Sequence, residues 1–227
     1  MAAFLANVGA NSAHAARSPL FGDGRFQMLP IPEKDRWAPP MLRLCDIDGL
    51  DVHAPPKWRD RAVHLDPDLS PPTPTYGDNC RRAGRAFSLR RAAPGDLIVF
   101  LARLQPVDPA NAARPGFHLV GSLAVNDVIA DVTSDPGPGW WDRNAHVRRA
   151  RATGRWDSFW VFKGAHGQSR LFIRARLFGR REAEAVFGEG WRWRATRSEL
   201  QTIGSYTRAV RRVEGSGEEW LRNICRS

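Results

Sequence analysis

Three ionisable side chains lie close together in residues 64–69, which read HLDPDL. Alternate side chains of an extended chain point to one side, so His64, Asp66 and Asp68 are predicted to share a face. A histidine beside carboxylates can exchange protons with a substrate near neutral pH, which is general acid–base chemistry. We therefore select these three residues as candidate catalytic residues, together with Tyr76 in the nearby YGD segment.

The same trio fits two other roles. Nitrogen and carboxylate ligands on one face could hold Mg²⁺, Mn²⁺ or Zn²⁺. Alternatively, Asp66 and Asp68 cap a turn at Pro67 while His64 bonds the backbone. Because turn capping is the commoner role of such aspartates, we assign no metal ligands, and the sequence identifies no cofactor.

A second group of candidates lies in residues 139–149, which read GWWDRNAHVRR. Stacking of a base on an aromatic ring is worth about 1–3 kcal/mol, and arginine forks match phosphate oxygens. The alternative for the two tryptophans is packing in the core, which we expect for Trp156, Trp160 and Trp220. We assign nucleotide binding to Trp140, Trp141, Arg143, His146, Arg148 and Arg149.

His146 has a second candidate role within this segment. Several arginines flank it, and nearby positive charge favours the neutral imidazole. A neutral histidine suits a general base. The alternative is a structural or solvent-facing loop histidine.

The first predicted strand, AFLANV at residues 3–8, is followed by a long loop of small residues. Small residues let backbone amides approach a phosphate or a base edge closely. Asn7, Asn11 and Ser12 add uncharged donors, so we predict that they contribute to nucleotide binding. The alternative is a loop that packs only against itself.

The charge is distributed unevenly along the chain. The formal net charge is +10, and residues 143–212 alone hold 17 basic and 5 acidic residues. Arginine far outnumbers lysine, which occurs only at Lys34, Lys57 and Lys163. A GC-rich genome would explain that ratio but not the concentration of charge, so we predict a nucleic acid or nucleotide as partner.

Several classes of protein are disfavoured by the sequence. Three widely spaced cysteines (Cys45, Cys80 and Cys225) without a C-x-x-C pair predict reduced thiols and a cytoplasmic location. No apolar run would span a bilayer, and the first residues lack signal-peptide features, so no membrane partner is expected. Rossmann, P-loop, H-E-x-x-H and G-x-S-x-G motifs are missing, which disfavours these cofactor and hydrolase classes.

Apolar runs and periodicity predict a mixture of strands and helices. We predict a single α+β domain over residues 1–227, in which an N-terminal part (1–104) is completed by an arginine-rich part (105–227). The predicted strands are 3–8, 25–32, 96–104, 117–130, 156–163 and 170–178, the last two as a hairpin. The predicted helices are 79–92, 144–150, 180–188, 198–213 and 217–225.

Residues 85–130 resemble the core of the PUA-like superfamily, which includes the EVE, YTH and ASCH domains. A basic helix leads into a turn at Gly95 and Asp96, an apolar strand follows, and the next strand contains Gly121. The resemblance implies a twisted β-barrel core with peripheral helices, which holds single nucleotides in a pocket often lined by aromatics. The alternative is an ordinary turn into a core strand.

Residues 3–104, and more weakly the rest, resemble the third of the nucleotide modification associated domain families, known from phages and bacteria. The matching segments are SPL (18–20), DG (23–24), LPIP (29–32), HLDPD (64–68) and GDLIVF (95–100), in that order. The loop NVGANSAHAAR departs from the more glycine-rich, arginine-bearing family pattern. The resemblance implies modified nucleotides as a substrate class rather than a particular reaction.

Two functional hypotheses follow. The first is an enzyme that takes part in the synthesis or processing of a modified nucleobase. The alternative is a non-catalytic PUA-like reader that binds a flipped or single-stranded modified base in an aromatic pocket. A reader needs aromatic and neutral hydrogen-bonding groups but no cluster of ionisable residues, so HLDPD favours the enzyme.

Overall fold

The computed structural model describes residues 1–10, 14–107, 115–188, 191, 193 and 195–226. The strands are β1 (Ala3–Asn7), β2 (Ser18–Leu20), β3 (Ile31–Pro32), β4 (Leu42–Arg43), β5 (Ala62–His64), β6 (Thr75–Asp78), β7 (Leu97–Pro106), β8 (Gly116–Val132), β9 (Phe159–Gly164), β10 (Arg170–Leu177) and β11 (Arg211–Val213). The α-helices are α1 (Ala145–Thr153), α2 (Arg180–Phe187), α3 (Glu199–Tyr206) and α4 (Ser216–Arg226). Short 3₁₀ helices span Leu44–Asp46, Asp51–His53, Pro56–Trp58 and Gly84–Arg91.

Eight of the strands form one mixed sheet in the order β11-β1-β7-β8-β9-β6, with β2 added to β7 and β10 added to β8. Strand β1 runs parallel to β7, whereas β7, β8, β9 and β6 are antiparallel neighbours. Strands β3, β5 and β4 form a separate antiparallel sheet. The predicted α+β class is therefore confirmed.

The predicted PUA-like barrel is not confirmed. The outermost strands of the path, β11 and β6, do not pair with each other in the described part of the chain, so the sheet stays open. At the turn that suggested the resemblance, Gly95 has φ +94° and the Asp96 carboxylate accepts from the amides of Ala2 and Ala93. Asp96 is thus a turn carboxylate that also anchors the start of β1.

The long strand β8 explains why the predicted hairpin of residues 156–163 and 170–178 is wrong. Strand β10 pairs with the first half of β8, where Leu171 lies opposite Gly121, and β9 pairs with the second half, where Val161 lies opposite Ile129. A Cβ on Gly121 would lie 2.6 Å from the carbonyl oxygen of Arg170. Glycine at this position therefore permits the close approach of β10.

The central strands β1 and β7 are buried on both faces, which accounts for their uninterrupted apolar sequences. Phe4 and Phe100 belong to the cluster on one face, whereas Leu5 and Leu101 belong to the cluster on the other. Helices α2, α3 and α4 cover the second face with Ala183, Val186, Ile203 and Leu221. The sheet thus lies between two apolar layers.

The helix predicted over residues 198–213 is shorter than expected. The predicted capping box is present, because the Ser198 hydroxyl accepts from the Gln201 amide and the Gln201 side chain accepts from the Ser198 amide. The helix nevertheless ends at Tyr206, and Val213 in β11 pairs with Ala3 of β1. An open edge of the central sheet therefore outweighs the helical periodicity of this segment.

Two other predicted elements are also reduced. Residues 79–92 form a 3₁₀ helix only over Gly84–Arg91, and residues 25–32 are a strand only at Ile31–Pro32. None of the described helices combines the length and the apolar character needed to cross a membrane.

Candidate functional site

Three side chains from two distant parts of the chain converge in a buried cluster. His64 ends β5, Asp66 follows it, and His146 lies in the first turn of α1. The Nε2 atoms of His64 and His146 lie 3.7 and 3.6 Å from the same Asp66 oxygen, Oδ2. One ligand atom from each residue lies within 4.8 Å of the others, and we call these residues the His/Asp cluster.

The Asp66 carboxylate is fixed by the elements around it. The Gly77 amide of β6 donates to both carboxylate oxygens at 3.1 and 2.9 Å, and the Asn144 side chain donates to Oδ2 at 3.5 Å. Asn144 is also the N-cap of α1, where its side-chain oxygen accepts from the His146 amide. One asparagine thus orients both the carboxylate and the helix that carries His146.

Glu33 holds His64 from the side opposite the cluster. The Glu33 carboxylate lies 2.8 Å from Nδ1 of His64, which leaves Nε2 directed at Asp66. Burial alone would raise the pKa of Glu33, but the hydrogen bond from His64 and the charges of His64, Arg149 and Arg155 hold it below its usual value. A carboxylate behind a histidine is the usual second partner of a metal-binding imidazole.

Burial shifts the pKa values of the cluster away from their ordinary range. It raises the pKa of Asp66 well above its usual value, and the charge of Asp78 adds to this, against the opposing Gly77 hydrogen bond. Burial also lowers the pKa of His146 well below its usual value, assisted by the charges of His64 and Arg149. This shift favours the neutral imidazole, and its largest cause is burial rather than the arginine charge on which the sequence argument relied.

The three residues of the cluster line a cavity of about 220 Å³. The end of β1 contributes Asn7, Val8 and Gly9 to its wall, so the opening part of the first loop does face this site. Arg85 and Arg149 also line the cavity, together with the carboxylates of Glu33 and Asp78. Asn11 and Ser12, the other two residues predicted from that loop, lie outside the described residues.

Of the other two residues predicted to be catalytic, Tyr76 lies at the cavity and Asp68 does not. Tyr76 lines the cavity, and its hydroxyl donates to Asp78 at 3.3 Å while its ring packs on Phe100 in the core. The side chain of Asp68 instead accepts from the Ser70 amide and faces Arg143 at 3.4 Å. The predicted common face of His64, Asp66 and Asp68 is wrong, because β5 ends at His64 and the alternation stops there.

The two tryptophans predicted to bind a base lie away from this cavity. Trp140 donates to Asp127 and Trp141 donates to the Gly137 carbonyl, and the two rings meet edge to face at 5.3 Å. Both pack against the apolar cluster around Val147. They support the loop before α1 and do not line the cavity beside the His/Asp cluster.

The three arginines predicted to bind a nucleotide do not lie together at the cavity. Arg149 lines the cavity and pairs with Asp157 at 3.3 Å, whereas Arg143 pairs with Asp68. Arg148 is half-buried beside a separate small cavity, and burial lowers its pKa. Of these three arginines, only Arg149 lies at the cluster.

Glu33, Asn144 and Arg85 lie at this site and were not identified from the sequence. Glu33 follows β3, whose antiparallel pairing with β5 sets Ile31 opposite His64. That pairing brings a carboxylate to His64 from a distant segment. The sequence offered no local signal for it, since LPIPEK resembles an ordinary strand end.

The spacing of the cluster suits a metal ion. Ligand atoms about 2.1 Å from a tetrahedral ion lie about 3.4 Å apart. The two separations from Asp66 Oδ2 to the imidazole nitrogens, 3.6 and 3.7 Å, are within a few tenths of an ångström of that spacing. Two imidazoles and one carboxylate are ligands for Zn²⁺ and Fe²⁺, and they leave coordination positions open for a substrate or water.

The fold and the site together define an α+β protein with a buried two-histidine, one-carboxylate cluster beside a polar cavity that both acidic and basic side chains line. Residues 3–214 match the family described as nucleotide modification associated domain 3, and the chain belongs to this family. Membership associates the chain with nucleotide modification. Comparisons with curated proteins and with solved structures gave no match.

Proposed function

We propose that this protein is an enzyme that takes part in the synthesis or processing of a modified nucleobase, and that its reaction centre is a divalent metal ion held by the His/Asp cluster. The convergence of two histidine Nε2 atoms on Oδ2 of Asp66 carries this proposal. Family membership supports a nucleotide as the substrate.

Burial of the cluster supports a bound cation. A buried carboxylate is costly to ionise unless positive charge compensates it, and Asp66 has no arginine or lysine partner among the described residues. A divalent ion between Asp66 and the two imidazoles would supply that charge. Glu33 would then fix the tautomer and the ring orientation of His64.

The other residues of the cavity fit binding and orientation. When bound, the ion would polarise a substrate oxygen or lower the pKa of a coordinated water. Asn7 offers both a donor and an acceptor to a base edge, and Tyr76 presents a hydroxyl whose proton is directed at Asp78. Arg85 and Arg149 each face an aspartate, Asp78 and Asp157 respectively, and can offer their remaining guanidinium donors to the substrate.

The reader hypothesis has less support. An aromatic pocket would need rings on which a base can stack, and Trp140 and Trp141 pack elsewhere. Apart from the two histidines, Tyr76 is the only ring among the described residues of the cavity wall, and its face packs against the core. Clustered ionisable groups suit catalysis better than passive recognition.

Metal titration of the whole chain tests the reaction centre. The purified protein would be stripped with chelator and titrated with Zn²⁺, Mn²⁺ and, without oxygen, Fe²⁺. We expect one ion per chain, with affinity reduced about 100-fold or more in His64→Gln and Asp66→Asn, because each removes a direct ligand. The matched controls are His166→Gln, an exposed histidine, and Asp68→Asn, the neighbouring aspartate outside the cluster.

The enzymatic part of the proposal has its own measurement. Nucleosides from DNA, RNA and the free nucleotide pool would be compared by mass spectrometry in cells that express the wild type or Asp66→Asn. We expect a change in a modified nucleoside with the wild type only. Tight metal binding in Asp66→Asn, or identical nucleosides in both strains, would contradict the proposal.

A further inference from the structure

A second and larger cavity, of about 1070 Å³, adjoins the cavity of the His/Asp cluster. The two cavities share Asn7 and Arg85 in their walls. The larger one also contains Arg103 of β7 together with Arg197 and Arg208, which flank α3. We call the surface formed by Arg85, Arg103, Arg197 and Arg208 the arginine groove.

The positive charge of the arginine groove is largely unneutralised. Among the described residues, no carboxylate lies within ion-pair distance of Arg103, Arg197 or Arg208, and no acidic side chain lines the cavity. Arg85 faces one carboxylate, that of Asp78, at 3.3 Å. Guanidinium groups that line the same cavity repel one another, and a bound anion would offset this repulsion.

Arg103 provides an independent indication of a ligand. Its Nε atom is buried and has no hydrogen-bond partner among the described residues. Leaving a buried charged donor unpaired is costly, so such atoms usually have a partner that the protein itself does not supply.

Most of the arginines around α1, the region that the sequence favoured for binding, already pair with carboxylates. Arg143, Arg149, Arg151 and Arg155 are paired with Asp68, Asp157, Asp135 and Asp35, respectively. Arg148, the third arginine predicted from the sequence, is half-buried and has no ion pair among the described residues. Charge that is already compensated contributes little to the capture of a polyanion. Among these two surfaces, the groove therefore carries more free positive charge than the loop with the tryptophans.

We propose that the arginine groove binds the phosphate groups of the substrate, so that the protein acts on a phosphorylated nucleotide or a strand rather than on a free base or nucleoside. This inference rests on the proposed function for the direction of the base, which would reach the His/Asp cluster past Asn7 and Arg85. Guanidinium forks match phosphate oxygens in pairs, which suits a row of such groups.

Binding measurements on the whole chain test this inference. The probes are thymidine, cytidine, their 5′-monophosphates and an eight-residue single-stranded oligonucleotide, titrated by calorimetry at low salt. The groove variant is Arg197→Gln with Arg208→Gln, both exposed in the wild type. The matched control is Arg90→Gln with Arg91→Gln, two exposed arginines that have no ion pair among the described residues.

We expect the phosphorylated probes to bind at least tenfold more tightly than the nucleosides. The groove variant should lose about tenfold in affinity for each charge-assisted hydrogen bond removed. For the oligonucleotide, log affinity should fall less steeply with log salt concentration in the groove variant than in the wild type. The slope should be shallower by about 0.7 for each phosphate that the variant no longer neutralises. A monophosphate that binds as tightly as the strand identifies a free nucleotide, whereas a clear preference for the strand identifies nucleic acid.

Two results would overturn the inference. The first is equal affinity of the wild type for nucleosides and monophosphates. The second is a control variant at Arg90 and Arg91 that loses as much affinity for the phosphorylated probes as the groove variant does, because net charge alone would then explain the binding. Failure of the proposed metal centre is separable from both. Asp66→Asn should bind the monophosphates like the wild type, and the groove variant should bind Zn²⁺ like the wild type.

Discussion

His64 and His146 meet edge to face, with ring centroids 4.5 Å apart and ring planes at 86°. One ring ends a strand of the small sheet, and the other begins a helix that packs beside the large one. The perpendicular arrangement lets both Nε2 atoms approach one carboxylate oxygen without a clash between the rings. The site therefore depends on how the small sheet sits against α1.

Glu33 tests whether the support of His64 matters. We expect both Glu33→Gln and Glu33→Ala to weaken Zn²⁺ binding, by about 10–100-fold. The loss of affinity should be smaller for Glu33→Gln, because glutamine keeps a hydrogen-bond acceptor for His64. Calorimetric titration measures this, with Glu214→Ala as the control because Glu214 is exposed and, in the described part of the chain, pairs with Arg212 alone. If the Gln and Ala variants lost the same affinity, the hydrogen bond to His64 would not be the reason.

Gly77 tests the packing between β6 and the cluster. A Cβ at this position would lie 2.7 Å from Cδ2 of His146 and 3.1 Å from the carbonyl oxygen of Trp160. We expect Gly77→Ala to lower the free energy of unfolding by about 1–3 kcal/mol, as overpacking does, and to weaken metal binding as His146 shifts.

Urea denaturation and metal titration measure the two effects of Gly77→Ala. The matched control is Gly84→Ala, because a Cβ on Gly84 would meet nothing within 4 Å. A Gly77→Ala protein with wild-type stability and wild-type metal affinity would show that β6 does not fix the position of His146.

The tryptophan pair tests the reader hypothesis directly. Trp141 packs on Trp140 and donates to the Gly137 carbonyl. We expect Trp141→Ala to lower the free energy of unfolding by about 1–3 kcal/mol, less than for a fully buried tryptophan, and to leave oligonucleotide affinity unchanged. Chemical denaturation and fluorescence anisotropy measure these quantities. Unchanged stability with a large loss of affinity would favour the reader.

Two of the three cysteines, Cys45 and Cys80, report on the packing of the protein. Cys80 is fully buried, and burial together with the charge of Asp78 raises the pKa of its thiol far above the usual value. We expect iodoacetamide at pH 8 to modify the half-buried Cys45 in the folded protein and to reach Cys80 only in denaturant. Peptide mass spectrometry identifies the labelled sites. Early labelling of Cys80 would mean that the segment around β6 opens locally.

The sequence predicted the central strands well because they are buried on both faces. Strands β1, β7 and β8 lie within one or two residues of their predicted ends, since continuous apolar runs carry that information locally. Pairing was less predictable. Strands β9 and β10 looked like a hairpin because they are close in sequence, but each pairs with a different half of β8, and local pattern does not specify the partner of a strand.

The candidate site was predicted in part. His64, Asp66 and His146 were each selected from the sequence, but His146 was placed with the tryptophan loop rather than with the other two. Their convergence depends on contacts between β5 and the first turn of α1, which are far apart in the chain. The same long-range packing hid Glu33, because nothing near that residue signals that a histidine will lie beside it.

Strand β11 has a consequence for how this family unit can be connected. The family match begins at Ala3 and ends one residue after Val213, and these two residues are partners in the pairing of β1 with β11. The entry and exit of the unit therefore lie side by side. A circularly permuted chain, joined there by a short linker and opened at a surface loop, would preserve every strand pairing. For the same reason, the unit could be inserted into a single surface loop of a host protein, because its two ends would join the host chain at neighbouring points.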